Sequence, residues 1–83
     1  MTYTIIWEAE ATGAAVRFLK DDSEGLIALY DAVDGLAKEP RPANSTPFGG
    51  TYRRLRVGNY RILYRINDDV VRILITHIGR SPG

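Results

Sequence analysis

The feature that most constrains the fold is the run YRRLRVGNYRILYRI, residues 52–66, in which basic and apolar residues alternate around a Gly58-Asn59 pair. Side chains of a β-strand point alternately to opposite faces, so this alternation indicates strands that are buried on one side. A Gly-Asn pair between two such runs is typical of a tight hairpin turn. The run therefore predicts an antiparallel hairpin with strands at Tyr52–Val57 and Tyr60–Ile66.

The predicted hairpin separates its apolar residues from its arginines. In the second strand the apolar face comprises Tyr60, Ile62, Tyr64 and Ile66, and the opposite face carries Arg61, Leu63 and Arg65. A tight turn brings at least Arg54 onto the same face as Arg61. Arg56 and Arg65 share this parity within their strands. Because like charges repel, such a face is either a solvated surface or a binding surface for an anion such as the phosphates of a nucleic acid.

The charge of the chain is divided between its two parts. The net charge is +1, but residues 1–50 carry four basic and eight acidic residues, a net charge of −4. Residues 51–83 carry seven arginines, no lysine and two aspartates, a net charge of +5. Arginine presents a planar fork of donors that suits bidentate contact with phosphate or carboxylate. The C-terminal part is therefore predicted to bind anions.

The remaining sequence predicts two helices, two further strands and one long connection. The elements are a strand at Thr2–Glu8, a helix at Ala9–Lys20, a second helix capped by Asp22 or Ser23 and a strand at Val70–Ile78. The second helix has an apolar stripe of Leu26, Leu29, Tyr30, Val33 and Leu36. Pro40 ends this helix, and residues 39–50 predict an irregular surface connection rich in proline and glycine. The order β-α-α-β-β-β predicts an α+β fold with two helices packed on one face of a small, mainly antiparallel sheet.

Length and composition limit the class of protein. With 83 residues and a mass of 9.3 kDa, the chain predicts a single domain, residues 1–83, with one modest core. The absence of cysteine excludes a disulfide framework and a thiolate zinc site, and it is typical of a cytoplasmic protein. No stretch has the apolar length of a transmembrane helix, and the N-terminus lacks the pattern of a signal peptide, so we expect no membrane partner.

His77 is the only histidine of the chain. Uninterrupted alternation along the last strand gives it the same face as Ile73 and Ile75. A lone histidine at a strand end is more often a packing or surface residue, but imidazole also suits acid–base catalysis of RNA cleavage. The residues predicted to be core or base-stacking aromatics are Tyr52, Tyr60 and Tyr64. The scattered acids have no metal-ligand spacing, so we expect neither a metal nor a cofactor.

The segment PFGGTYRRLRVGNYRILYRINDDVVRILITHIGR, residues 47–80, resembles the C-terminal core of the RelE/ParE superfamily, the toxins of bacterial type II toxin–antitoxin systems. Its most specific part is R-L-R-V-G-N-Y-R-x-x-Y, residues 54–64. The resemblance implies a cytoplasmic toxin that a cognate acidic antitoxin neutralises, in a toxin–antitoxin hetero-oligomer. In the RelE branch it also implies metal-independent cleavage of messenger RNA in the ribosomal A site, with the ribosome and mRNA as partners.

The resemblance also implies roles for individual residues. Arg54 and Arg61 match basic positions of the family's hairpin and are expected to act in catalysis on the phosphate, and Arg56 belongs to the same signature. Arg80 matches the basic segment after the family's last strand and is expected to support catalysis. The catalytic tyrosine of the family's tail has no counterpart here, so His77 is expected to substitute in part as acid or base. The predicted RNA-binding set is Arg53, Arg54, Arg56, Arg61, Arg65 and Arg80.

Three functions remain open at this point. The arginine signature favours a RelE-like mRNA endoribonuclease that inhibits translation. The missing tail favours either a ParE-like toxin, which inhibits DNA gyrase without enzymatic activity, or a catalytically weak homologue that only binds its antitoxin. We also expect residues 79–83 to be mobile, because their proline and glycines give them little reason to order.

Overall fold

Two helices and five strands make up residues 2–81, the part of the chain that the structure, a computed structural model, describes. In chain order they are β1 (Thr4–Trp7), α1 (Ala9–Asp21), α2 (Ser23–Gly35), β2 (Ser45–Pro47), β3 (Tyr52–Val57), β4 (Tyr60–Asn67) and β5 (Arg72–Arg80). The strands form one sheet in the order β1-β5-β4-β3-β2, with β1 parallel to β5 and the other pairs antiparallel. The predicted α+β fold is confirmed, with β2 as an additional strand. Neither of these helices is long and apolar enough to cross a membrane.

Asp22 separates the two helices and fixes where α2 begins. Its carboxylate accepts a hydrogen bond from the backbone N–H of Gly25 at 3.0 Å, which satisfies one free donor of the first turn. A Cβ atom on Gly25 would collide with this carboxylate, so glycine at this position leaves room for the cap. The predicted start of the second helix is confirmed, and the helix ends at Gly35, before Pro40.

The helices cover one face of the sheet, here called the helix side, and the core lies between the two layers. Its helical residues are Ala11, Ala14 and Ala15 of α1, then Leu26, Leu29 and Val33 of α2, followed by Leu36. Its strand residues are Leu55, Tyr60, Ile62, Tyr64, Ile66, Ile73, Ile75 and Ile78. Burying one large aliphatic or aromatic side chain contributes about 1.5–3 kcal/mol, so this layer is the main source of stability. The predicted apolar face of β4 is confirmed.

The β3–β4 hairpin has the predicted register. Leu55 lies opposite Ile62 on the helix side, and Arg56 lies opposite Arg61 on the other face. Gly58 adopts a φ of +58°, the left-handed conformation that a two-residue hairpin turn requires. The turn thereby determines which side chains of the two strands share a face.

The prediction of an irregular connection over residues 39–50 is wrong for Ser45–Pro47, which forms the edge strand β2. Ser45 is buried and lies opposite Leu55 of β3. Pro47 lacks a backbone N–H group, and an edge strand tolerates this because one of its sides has no partner strand. Composition alone therefore predicted a loop where pairing with β3 forms a short strand.

The last strand is displaced toward the C-terminus relative to the prediction. Val70 lies in the turn after β4, so β5 begins at Arg72. The strand continues to Arg80, and the expectation of a mobile segment 79–83 is therefore wrong for its first two residues, which pair with β4. Residues 82–83 lie outside the described part of the chain.

A β-bulge in β5 changes the position of His77. The register shifts between Leu63, which lies opposite His77, and Tyr64, which lies opposite Ile75, so Thr76 is an extra residue in β5. His77 consequently lies on the face opposite to the helix side, and its side chain is exposed. The prediction that His77 shares the face of the preceding isoleucines is wrong, because the bulge interrupts the alternation.

Candidate nucleic-acid interface

The face of the sheet that points away from the helices carries a group of arginines, here called the arginine face. Its members are Arg54 and Arg56 of β3, Arg61 and Arg65 of β4, and Arg72 of β5. Arg56 lies directly opposite Arg61, and Arg54 lies opposite Leu63 two residues further along the hairpin. The structure therefore brings Arg54 and Arg61 together on one face, as the alternation in the sequence predicted.

The arginine face has no acidic partner in the described part of the chain. Within residues 2–81, ion pairs join Arg41 to Asp68 and Arg80 to Asp21, and the His77 ring lies within hydrogen-bonding distance of Glu10. None of them involves a member of the arginine face. Arg56 and Arg61 lie directly opposite each other. Like charges in such positions destabilise a sheet. An anion bound on this face would relieve that repulsion.

Two aromatic rings lie against arginines of this face. The Cζ atom of Arg54 is 5.6 Å from the centroid of the Phe48 ring, and the Cζ atom of Arg65 is 5.4 Å from the centroid of the Tyr52 ring. Both distances are within the range of cation–π contacts. Tyr52 was predicted to be a core or base-stacking residue, whereas Phe48 was missed. An aromatic residue beside two glycines in a polar connection was the available signal for Phe48.

His77 lies at one edge of the arginine face, with Leu63 between it and Arg54 on neighbouring strands. Its Nε2 atom is 2.9 Å from Oε2 of Glu10, and its Nδ1 atom is 3.1 Å from Oγ1 of Thr76. The Thr76 hydroxyl donates to the carbonyl of Leu63 at 3.0 Å, so its oxygen faces His77 as an acceptor. Neighbouring strands are about 4.8 Å apart, which places the backbones of His77 and Arg54 about 10 Å apart on either side of Leu63.

An open pocket of about 560 Å³ lies at the other end of the arginine face. Its lining residues are Thr51, Arg65, Ile66, Asn67, Asp68, Asp69, Arg72 and Leu74. The Nε–H group of Arg65 donates to Oγ1 of Thr51 at 3.3 Å, which fixes one wall. A strand rises about 3.3 Å per residue, so Asn67 lies about 20 Å from Arg61 along β4. The arginine face is therefore long enough for several nucleotides.

Arg53 and Arg80 lie on the helix side, away from the arginine face. The guanidinium of Arg53 donates to Oγ of Ser45 at 3.0 and 3.1 Å and to its carbonyl at 3.2 Å. Arg80 is the last residue of β5, whereas it was predicted to lie after the last strand. It donates to Asp21 at 2.8 Å, which raises the pKa of Arg80, and its Cζ atom is 4.8 Å from the centroid of the Phe18 ring. The predicted contact of these two arginines with RNA stays a prediction.

Tyr60 and Tyr64 belong to the core, which was one of the two roles predicted for them. Tyr64 is fully buried, and its hydroxyl donates to the carbonyl of Pro40 at 2.7 Å. The Tyr60 hydroxyl donates to Oδ2 of Asp22 at 2.8 Å. Burial, and next the Asp22 carboxylate, raises the pKa of Tyr60, while the hydrogen bonds from Tyr60 and from Gly25 lower the pKa of Asp22. These contacts join β4 to the helices.

A second polar cluster joins the start of the chain to the turn between β4 and β5. The Tyr3 hydroxyl donates to Oδ1 of Asp68 at 2.6 Å, and Nη2 of Arg41 donates to Oδ2 at 3.0 Å. The hydrogen bond from Tyr3, followed by that from Arg41, lowers the pKa of Asp68. Among the residues described, no group of three or more His, Asp and Glu side chains is arranged to hold a metal ion.

Several solved structures share this fold. A chain of the toxin–antitoxin complex RelBE2 from Mycobacterium tuberculosis has a TM-score of 0.80 at 22% identity, over 98% of this chain and 100% of that chain. A chain of the archaeal RelE–RelB complex from Pyrococcus horikoshii has a TM-score of 0.78 at 23% identity, over 96% of each chain. The YoeB/ParE toxin from Agrobacterium tumefaciens has a TM-score of 0.79 at 14% identity, over 95% of this chain and 99% of that one.

Sequence comparison identifies the family. No curated protein sequence matches the chain at a significant level. The profile of the family described as "ParE toxin of type II toxin-antitoxin system, parDE" matches residues 5–81, almost the whole chain. Together with the shared fold, this match shows that the chain belongs to the ParE toxin family of type II toxin–antitoxin systems, within the RelE/ParE superfamily.

Proposed function

We propose that this toxin is a cytoplasmic, ribosome-dependent endoribonuclease that binds messenger RNA on the arginine face and cuts it in the A site. The observation that carries the proposal is the group of five arginines on one face of the sheet, none with an ion-pair partner within residues 2–81. Clustered arginines neutralise phosphates. Arginines combined with aromatic rings are typical of surfaces that bind single-stranded RNA.

The proposed cleavage needs no cofactor. The 2′-oxygen of a nucleotide attacks the adjacent phosphorus and loses its proton, and the bond from phosphorus to the 5′-oxygen breaks as that oxygen gains a proton. The negative charge that develops on the phosphorane must be stabilised. We assign this role to Arg54 and Arg61, which share one face and have no acidic partner among the residues described. Arg56, opposite Arg61, supports them by binding a neighbouring phosphate.

We assign the proton transfer to the 5′-oxygen to His77. Both of its ring nitrogens have polar partners, Glu10 and Thr76, which orient the imidazole at the edge of the arginine face. The side chains of His77 and Glu10 are 56% and 72% exposed, so the ring can turn toward a bound phosphate. Arginine, whose pKa lies above ~12, is a poor base for the 2′-hydroxyl. We assign no side chain among residues 2–81 to that proton transfer, and we therefore expect a nuclease slower by roughly 10²–10⁴-fold than a site with both groups.

An acidic antitoxin is the second partner that we propose. The Mycobacterium tuberculosis structure is a toxin–antitoxin complex, and the Pyrococcus horikoshii structure is a RelE–RelB complex. The uncovered charge of the arginine face supports a partner segment rich in Asp and Glu, disordered when free and folding on the toxin as a helix or an added strand. Since opposite charges steer this association, its rate should fall as salt is added.

DNA gyrase is a second candidate target, and the family profile favours it because that profile is the one of ParE toxins. The resemblance to ParE-like toxins implies inhibition by binding, without bond cleavage. In that case the arginine face would contact acidic groups of a protein, and His77 would have no chemical role.

Induction of the toxin in cells separates these functions. We expect primer extension on cellular mRNA to find new 5′ ends within translated codons and none in untranslated regions. Double-strand DNA breaks and an SOS response, together with intact mRNA, would instead identify gyrase as the target of the toxin. If induced cells grow normally and show neither mRNA cleavage nor DNA breaks, while the protein still binds its antitoxin, the protein is a catalytically weak homologue.

A further inference from the structure

Phe48 is an exposed aromatic residue that the proposed cleavage does not use. Its side chain is 52% exposed. A single exposed apolar residue is common on protein surfaces and carries no inference by itself. The neighbours of Phe48, however, are those of a ligand-binding residue.

The backbone around Phe48 holds the ring on the arginine face. The N–H group of Phe48 donates to the carbonyl of Tyr52 at 2.9 Å, and the N–H group of Tyr52 donates to the carbonyl of Gly49 at 3.0 Å. Gly49 and Gly50 adopt φ values of +90° and +55°, which other residues adopt only with strain. This closed connection holds the backbone that carries the ring, so that less of it has to be ordered when a ligand binds.

Arg54 covers one side of the ring and carries an unused donor. Its Cζ atom is 5.6 Å from the ring centroid of Phe48. Its Nε atom is buried and has no hydrogen-bond partner in the described part of the chain. A buried donor without a partner destabilises the protein until an acceptor reaches the guanidinium or the side chain moves to water. A nucleotide offers both complements at once, since its phosphate accepts hydrogen bonds and its base is flat.

The same combination occurs a second time on this face. Tyr52 precedes Arg54 by two residues on β3, about 7 Å along the strand, and its ring lies 5.4 Å from Cζ of Arg65. A repeated pair of aromatic ring and guanidinium matches successive nucleotides of an extended single strand. An acidic peptide would match the guanidinium groups but not the repeated rings.

We infer that Phe48 stacks on an unpaired nucleobase of the bound RNA, beside the phosphate that Arg54 contacts. The inference rests on the proposed function and adds a base-binding residue to it. Bases within a duplex are stacked on each other and present no free face to the ring, whereas an mRNA codon in a vacant A site does.

The test uses ribosomes programmed with an mRNA that carries 2-aminopurine at one position of the vacant A-site codon, each position in turn. Methyl groups on the 2′-oxygens of that codon prevent cleavage. 2-Aminopurine loses fluorescence when it stacks on an aromatic ring, so we expect saturable quenching at one codon position with the parent toxin. Phe48→Ala should abolish this quenching and weaken binding about tenfold, whereas Phe48→Tyr should retain both.

The control is Ile27→Ala, which removes a similarly exposed apolar side chain, 59% exposed, from α2 on the helix side. It should leave quenching and affinity unchanged. Equal quenching and affinity in the parent and Phe48→Ala would overturn the stacking role and leave the proposed function intact. A loss of antitoxin affinity in Phe48→Ala, with RNA binding unchanged, would also overturn it. If the parent toxin binds no programmed ribosome, the proposed function falls, and the stacking role falls with it.

Discussion

The two faces of the sheet treat their arginines differently. On the helix side, Arg53 donates to Ser45 and Arg80 to Asp21, so both charges have partners within the fold. On the arginine face, Arg54 and Arg65 lie against aromatic rings, and no acid within residues 2–81 pairs with them. The presence of an arginine therefore does not by itself indicate a binding surface. The absence of an internal partner is the more informative property.

The same difference separates stability from function along β4. Neighbouring residues of this strand point to opposite faces, one into the core and the next toward the proposed RNA. Substitutions on the helix side should therefore change the free energy of unfolding, and substitutions on the arginine face should change binding and cleavage.

The largest effect on stability is expected for Ile62→Ala, compared with Arg61→Ala one residue earlier. Ile62 is fully buried, and its truncation should lower the free energy of unfolding by about 2–5 kcal/mol. Arg61 is exposed, and its truncation should change that free energy by about 0.5 kcal/mol or less. Urea denaturation of both variants measures the difference. Similar losses in the two variants would mean that the arginine face is part of the structural core.

The next effect concerns the salt dependence of binding to programmed ribosomes. Each phosphate contact with a single strand adds about −0.7 to the slope of log affinity against log salt concentration. Arg56→Ala should therefore make the slope shallower by about 0.7. Arg17→Ala removes the same charge from an exposed position of α1, on the other side of the molecule, and should leave the slope unchanged. Equal changes would indicate attraction by overall charge rather than contacts on one face.

Arg80→Ala should have a smaller effect, and on stability rather than cleavage. The variant loses an exposed ion pair with Asp21 and the contact with the Phe18 ring. We expect a modest fall in melting temperature that shrinks at high salt, because salt screens exposed ion pairs. The cleavage rate should stay close to that of the parent. A large loss of cleavage with an unchanged melting temperature would instead support the catalytic role that the sequence predicted for Arg80.

The smallest effect is the response of stability to acid. Hydrogen bonds lower the pKa of Asp22 and of Asp68 in the folded protein, so the unfolded chain binds protons more readily at these sites. Their contribution to the free energy of unfolding is therefore complete above the ordinary aspartate pKa of about 3.9. It is lost as the pH falls through the lower pKa values of the folded state. Asp22→Asn should flatten the stability profile in this acidic range. An unchanged profile in urea denaturation at pH 2–5 would contradict this role.

The sequence predicted the arginine face because two local signals agreed. Alternation in β4 separated Arg61 from Ile62, and the Gly58-Asn59 turn fixed the register that brings in Arg54. The start of α2 was predictable for a similar reason, since the cap of Asp22 on Gly25 involves only neighbouring residues. Each of these features depends on short-range chemistry.

The position of His77 was not predictable from alternation, because a bulge adds one residue to β5 and not to β4. A signal was present, since the buried isoleucines fall at positions 73, 75 and 78, and the change of spacing from two to three marks the extra residue. The partner of Arg80 could not be read from the sequence, because Asp21 lies 59 residues away in the chain. Such contacts depend on how the layers pack.

The most direct test of the arginine face as the site of action compares the cleavage rates of Arg61→Ala and Arg17→Ala on programmed ribosomes. Both variants lose one positive charge from an exposed position, Arg61 from the arginine face and Arg17 from α1. Loss of a donor that stabilises the reacting phosphate typically reduces the rate by about 10²–10³-fold, and we predict a loss of this size for Arg61→Ala. Arg17→Ala should cleave within about threefold of the parent, since surface substitutions away from a site have small effects. Equal rates in the two variants would contradict the claim that the arginine face is the site of action.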